Sequence, residues 1–170
     1  KKMKDYLSNN NLLDMVIRHD NEIDTINKNL EEIKNIVVDD DKEYYFDKEY
    51  DAYSKILDIF NKTKNELIIV DRFTDKSLLD MIKNLKCKVI LITSNKSSIS
   101  ELDLDKYNKT YDNLIVYYDD SVHDRYFVLD RKEVYICGSS INHIGYRGSS
   151  IIMINDKNIV INKILKIINI

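Results

Sequence analysis

Residues 66–95 read ELIIVDRFTDKSLLDMIKNLKCKVILITSN. Two of their runs, Glu66–Val70 and Lys88–Thr93, are almost continuously apolar and rich in β-branched residues. Runs of that length without polar alternation are what strands covered on both faces require. Between them, Leu78, Leu79 and Ile82 recur at helical spacing within Asp75–Leu85. Strand, helix, strand at these lengths predicts a parallel pair joined by a helical crossover.

The rhythm extends both ways. Leu104–Tyr111 is predicted helical and Leu114–Tyr118 is a third core strand. Upstream, Tyr44–Phe46 is a short strand, and Lys48–Lys64 carries Tyr53, Ile56, Leu57 and Phe60 at helical spacing. Alternation of this kind points to a mainly parallel sheet. After residue 120 the pattern changes. Tyr126–Leu129 and Val134–Cys137 read as a hairpin closed by Asp130-Arg131-Lys132-Glu133. Gly148–Ile154 is a further strand. Asn158–Ile168 is a closing helix that buries Val160, Ile161, Ile164, Leu165 and Ile168. The expected body, residues 42–170, is therefore α/β, a mixed sheet flanked by helices with an antiparallel addition.

Residues 1–41 are of another kind. Leu12, Val16, His19, Ile23, Ile26, Leu30, Ile33 and Val37 are spaced alternately by four and three. That is a heptad seam, with Val16, Ile23, Leu30 and Val37 at a and Leu12, His19, Ile26 and Ile33 at d. A lone helix of this sort is marginal in water. Residues 12–37 are accordingly expected to form a homo-oligomer. Isoleucine at d with Leu30 at one a position disfavours a simple two-stranded coil and allows trimers or tetramers, which leaves the oligomer order open. The run Asp39-Asp40-Asp41 breaks the seam and marks the junction with the body.

Composition narrows the function classes. The chain has 170 residues, a net charge of −3, 44% hydrophobic and 32% charged residues. That is a globular chain with a core, without a generally basic surface, though a local basic pocket is compatible with it. No apolar run nears the ~20 residues of a membrane span. No signal-type segment opens the chain, and Lys1-Lys2-Met3-Lys4 reads as the start of a piece of a longer protein. Cys87 and Cys137 sit in apolar runs without partners at metal-ligand spacing. They read as buried reduced thiols of a cytoplasmic protein, and neither a metal nor a cofactor is expected.

The glycines point elsewhere. Average usage of about 7% would give roughly twelve. This chain has three, all between residues 138 and 148. A backbone there needs unusual angles or a close approach.

Chemistry concentrates beside them, in Ser121–Arg147, SVHDRYFVLDRKEVYICGSSINHIGYR. Read as a strand, His123, Arg125 and Phe127 share one face. Arg125 is a fixed cation suited to phosphate, and a neighbouring histidine can be nucleophile or proton donor. Asp130 has the opposite parity and suits the turn. Gly138 and Ser139 can turn backbone amides toward an anion, and Asn142 can add its side-chain amide. The polar segments Asp71–Asp75 and Thr93–Asn95 follow core strands at the carboxyl ends where α/β sheets form sites, and they equally suit helix capping by Thr74 or Asp75. His143 and Arg147 read as rim residues of the same region.

The ordered set His123-x-Arg125-x-x-x-x-Asp130, then seven residues, then Gly138-Ser139-x-x-Asn142 resembles the H-x-K-x-x-x-x-D…G-S-x-x-N motif of the phospholipase D superfamily. Tyr50-Asp51-Ala52-Tyr53, with the helical region before it, also resembles the C-terminal part of phage-type regulators that carry a KilA-N-like DNA-binding domain. The first resemblance implies a phospholipase D-like fold and a metal-independent phosphodiesterase, with nucleic acid the expected substrate. His123 would be nucleophile or acid, Arg125 and Asn142 would bind phosphate, and Ser139 would donate from the site wall. Asp130, Gly138 and Ser140 would support them. Arg125 stands where that family has lysine, and the chain carries one motif. A second histidine must then come from a second chain across a two-fold axis. The alternative is an oligomerisation and phosphate- or nucleic-acid-binding module without turnover.

Overall fold

The computed structural model describes residues 2–38 and 43–169, and side chains from residues 11–30 and 43–169. The chain divides into two compact units, Lys1–Asp41 and Lys42–Ile170.

The first unit is one helix, α1, Lys2–Val38. Its described seam residues Leu12, Val16, Ile23, Ile26 and Leu30 are all exposed, between 46% and 61%. The seam positions Ile33 and Val37 and the run Asp39–Asp41 lie outside the residues whose side chains are described. No helix among the described residues is long and apolar enough to cross a membrane.

The second unit runs β1 (Glu43–Phe46), α2 (Glu49–Asn61), β2 (Glu66–Val70), α3 (Lys76–Ile82), β3 (Lys88–Thr93), α4 (Glu101–Tyr111), β4 (Leu114–Tyr118), β5 (Arg125–Leu129), β6 (Glu133–Cys137), a 3-10 turn (Ile141–His143), β7 (Ser149–Met153) and α5 (Lys157–Ile167). The strands form one seven-stranded sheet in the order β1-β7-β6-β5-β2-β3-β4. The β2–β3 and β3–β4 pairs are parallel. The β2–β5, β5–β6, β6–β7 and β1–β7 pairs are antiparallel. The expectation of a mainly parallel sheet is thus corrected. Parallel pairing stops at β2, because the chain after β4 crosses back and enters β5 beside β2 from the opposite direction.

Alternation along the strands sorts the core into two layers. Leu67, Ile69, Val89, Leu91, Phe127 and Leu129 pack with Ala52, Ile56, Ile59 and Phe60 of α2, with α3 and with Tyr107 of α4. Ile68, Val70, Ile90, Ile92, Val128 and Val134 pack with Ile161, Ile164 and Ile168 of the α5 segment. β2 lies inside the sheet, between β5 and β3, with Leu67 to Val70 at most 1% exposed. Burying one such side chain is worth about 1.5–3 kcal/mol, so β2 anchors both layers. Phe60 and Phe127 meet edge to face, centroids 5.1 Å apart.

Local chemistry sets the boundaries. Asp75 caps α3, accepting from Ser77 N–H at 2.8 Å. Ser100 caps α4, accepting from Asp103 N–H at 3.1 Å. Without glycine, left-handed positions fall to other residues. Asp112 ends α4 at φ 49°, and Asp130 and Arg131 turn the β5–β6 hairpin at 51° and 57°. Asp130 is held there by three backbone N–H groups, from Lys64 (2.9 Å), Asn65 (2.7 Å) and Glu66 (3.0 Å). The Lys64 amide above all keeps its carboxyl below the usual carboxylate range.

Candidate active site

Register brings the polar loops to one end of the sheet. Val70 pairs with Tyr126, and Arg125 pairs with Cys137. The carboxyl ends of β2, β3 and β6 therefore lie beside the amino end of β5. Ligands of open α/β sheets sit outside carboxyl strand ends, and here parallel pairing gives way to antiparallel at the same place.

The centre of this end is Asp71, fully buried. It accepts from Ser140 Oγ at 2.8 Å, from Ile141 N–H at 2.8 Å and from Phe73 N–H at 3.0 Å. Arg125 Nε lies 3.6 Å from Asp71 Oδ1. Asn142 Nδ2 donates to the Phe73 carbonyl at 2.6 Å, and Ser140 Oγ is 3.0 Å from Asn142 Oδ1. The loop after β2 and the loop after β6 are tied together by these bonds. The expected anion nest takes another form. The Gly138 amide donates to Ser150 O at 2.9 Å and the Ile141 amide to Asp71, so a carboxylate of the chain itself occupies that role.

His123 lies in the loop just before β5, not in the strand. Its imidazole is exposed, and its Nδ1 is 2.7 Å from Arg72 Nη1. Arg72 Nη2 donates to Asp120 at 3.1 Å. Arginine has only donors, so Nδ1 accepts and the ring proton sits on Nε2. Asp124, next to His123, accepts from Tyr126 O–H at 3.0 Å. That phenol is pushed up to about 12, chiefly by burial.

Three cations surround the ring of Phe73. The Arg72 and Arg125 guanidinium carbons are each 6.0 Å from its centroid and Lys96 Nζ is 5.8 Å away. Arg72 and Arg125 have carboxylate partners, Asp120 and Asp71. For Lys96 no ion pair is found among the described residues. Within a chain of net charge −3, three cations against these two carboxylates make a local positive site. Arg125 Nε, at 3.6 Å from Asp71, is buried without a hydrogen bond, and the Ser139 hydroxyl is likewise buried and unpartnered.

Of the sequence-predicted residues, the structure gathers Arg125, Ser140 and Asn142 around Asp71, with His123 joined to the same loop through Arg72. Gly138 and Ser139 begin the loop that carries Ser140. Asp130 stands at the opposite end of β5, where Leu129 pairs with Leu67, and fastens the start of β2. In the sequence Asp71, Arg72 and Phe73 stand only as a polar segment at a carboxyl strand end, with no individual roles, and Lys96 does not stand out. Their signal was position, directly after the core strands β2 and β3. Cys137 donates to Ser139 O at 3.1 Å, and burial pushes its thiol up to about 11.

Searches of family models and of curated proteins found no match. Solved structures did. NucT from Helicobacter pylori superposes with a TM-score of 0.57 at 15% identity, over 75% of this chain and 96% of that one. Nuc from Salmonella typhimurium, a phospholipase D family member, gives 0.50 at 11% identity, over 66% of this chain and 81% of that one. The fold is phospholipase D-like. Phosphatidylserine synthase of Haemophilus influenzae shares this fold too, with a TM-score of 0.53 at 15% identity, over 76% of this chain but 36% of that protein. Members of this fold thus include proteins of quite different length and name, so the chemistry of this phospholipase D-like domain has to be argued from its own side chains.

Proposed function

We propose that the second unit is a phosphodiesterase of nuclease type, working without a metal on a site pooled by two copies of the chain. One observation carries this reading. His123 from the loop before β5, Arg125 from the first position of β5 and Asn142 from the loop after β6 are all tied to the Asp71–Phe73 segment at the carboxyl end of β2, on a phospholipase D-like sheet. In this reading Arg125 and Asn142 hold the phosphoryl oxygens and disperse their charge. The incoming phosphate draws Arg72 off His123 Nδ1. The ring proton can then sit on Nδ1, and the freed Nε2 lone pair attacks phosphorus. The P–O bond to the leaving alkoxide breaks, and the second copy's His123, likewise released from Arg72 and charged by a proton from solvent, protonates that oxygen and later takes a proton back from the attacking water. Water then hydrolyses the phosphohistidine and returns both rings to their starting forms. The heptad helix supplies the association that the shared site needs.

A second reading is a phosphate-binding module without turnover, the role expected in a phage-type regulatory protein. The Arg72–His123 contact favours it, because it leaves Nε2 protonated and unable to attack. Hydrolysis of bis(4-nitrophenyl) phosphate in excess EDTA separates the two. The first reading expects product from the wild type and none from His123→Ala. Equal hydrolysis by both proteins removes the histidine mechanism, and saturable binding without product selects the second reading.

A further inference from the structure

Among the exposed aromatic side chains of the body, Phe73 stands among three cations. It sits in the loop directly after β2 with 38% of its surface exposed. Its backbone is immobilised on both sides. Phe73 N–H donates to Asp71, and its carbonyl accepts from Asn142. Its ring is flanked by Arg72, Lys96 and Arg125 at about 6 Å. Three like charges around one ring repel one another, and two carboxylates offset only part of that cost. A site for phosphate alone needs the cations but has no use for an apolar ring held among them.

The neighbouring loop repeats the pairing. Tyr146 is 66% exposed, and the Arg147 guanidinium lies 5.7 Å from its ring. The two residues line a concavity of about 300 Å³ together with Ser139, His143 and Gly148. Into that wall is set the Ser139 hydroxyl, which is buried and has no partner. Phe73 and Tyr146 thus belong to two loops that the Asn142–Phe73 and Ser140–Asp71 hydrogen bonds hold together.

An exposed ring beside a cation, repeated along one edge, matches a chain whose repeating unit is a flat base and a phosphate. Stacking on an aromatic ring is worth about 1–3 kcal/mol per base and requires the base to be unpaired. A duplex keeps its bases stacked inside and offers these rings only its backbone. We propose that the ligand of this site is a single-stranded nucleic acid, with one base on Phe73, a second on Tyr146, and phosphates held by Lys96, Arg125 and Arg147. The inference rests on the phosphodiester reading above and names the substrate class within it.

The test is fluorescence anisotropy with the full chain in EDTA and three probes of equal length: single-stranded oligo(dT), an abasic strand with the same phosphates, and a duplex. The expected result is that oligo(dT) binds at least about 5- to 100-fold more tightly than the abasic strand and more tightly than the duplex. Phe73→Ala removes most of that preference, and Phe73→Trp restores it. Thermal melts of both variants report folding, which an exposed side chain should not decide. Equal binding of oligo(dT) and the abasic strand, or a duplex bound as tightly as oligo(dT), overturns the stacking proposal while the phosphate site stands. Absence of binding by all three overturns the phosphodiester reading itself, and the stacking proposal with it.

Discussion

Arg72 Nη1 donates to His123 Nδ1 across 2.7 Å, and the same guanidinium is held from its other nitrogen by Asp120 at 3.1 Å. The imidazole is therefore wired through its proton-accepting atom to a permanent donor. Even about 1.5 kcal/mol from such a charge-assisted bond biases the ring tautomers more than tenfold. Long-range proton–nitrogen NMR of the free protein is expected to show the His123 proton on Nε2. Arg72→Ala should yield a mixture, and binding of a phosphodiester to the wild type should move the proton toward Nδ1. A wild-type ring with its proton on Nδ1 from the start would refute the contact.

Asp71 holds two loops from one buried carboxylate. Asp71→Asn keeps one acceptor oxygen but presents an amide to donors and leaves Arg125 without its partner. Breaking a buried charged network by one member costs about 3–5 kcal/mol, and retention of the shape lowers that toward 2–3. Denaturant unfolding of Asp71→Asn should show a loss of about that size. A change below about 1 kcal/mol would mean that the loops are held by other contacts.

Asp130 contributes to stability in a pH window that its environment sets. Its folded carboxyl titrates below the ordinary 3.8 because it accepts from the Lys64, Glu66 and Asn65 amides. The contribution is fully present above about pH 4 and disappears as pH falls through the lowered folded value. Asp130→Ala, which also places a Cβ residue without local hydrogen bonds at positive φ, is expected to lose about 1–2 kcal/mol at pH 7. The gap to wild type should narrow below pH 4. A gap that stays constant from pH 7 to pH 3 would show that the carboxylate charge is irrelevant.

The glycines separate by backbone geometry. Gly145 has φ +83°, and a Cβ there would meet the Lys48 carbonyl at 2.6 Å. Gly145→Ala should cost about 2–4 kcal/mol from strain and clash together. Gly138 has no positive φ and would meet Ser150 Oγ at 3.4 Å, so Gly138→Ala should lie between neutral and about 1 kcal/mol stabilising. Thermal melts compare the two, and the reverse ranking would contradict the assigned backbone conformations.

Much of the fold was legible because its signal is local. The runs ELIIV, KVILIT and LIVYY became β2, β3 and β4 with the expected bounds, and Asp75 capped α3 as its position suggested. Strand direction was less legible. Whether β5 enters beside β2 or at an edge depends on pairing between residues 56 to 62 apart, from Val70 with Tyr126 to Leu67 with Leu129, and periodicity does not carry that. The site divides the same way. His123, Arg125 and Asn142 stood out as a spaced set. Asp71, Arg72 and Lys96 did not, because a carboxylate or cation after a strand looks identical whether it caps a helix or crosses to another loop. Two of the three clustered glycines, Gly145 and Gly148, mark a constrained backbone, and Gly138 does not. The constraint at Gly145 and Gly148 is a matter of positive φ, while the amides near Gly138 serve Ser150 and Asp71.

Nucleophilic attack by His123 would leave its imidazole bonded to phosphorus. The most direct measurement incubates the full chain with a single-stranded oligonucleotide in EDTA, quenches in alkali to protect an acid-labile phosphohistidine, and maps the adduct by peptide mass. The expected result of that attack is a nucleotidyl adduct on the peptide containing His123, absent from His123→Ala. An oligonucleotide that binds saturably but leaves that peptide unmodified, with no product after long incubation, would contradict it.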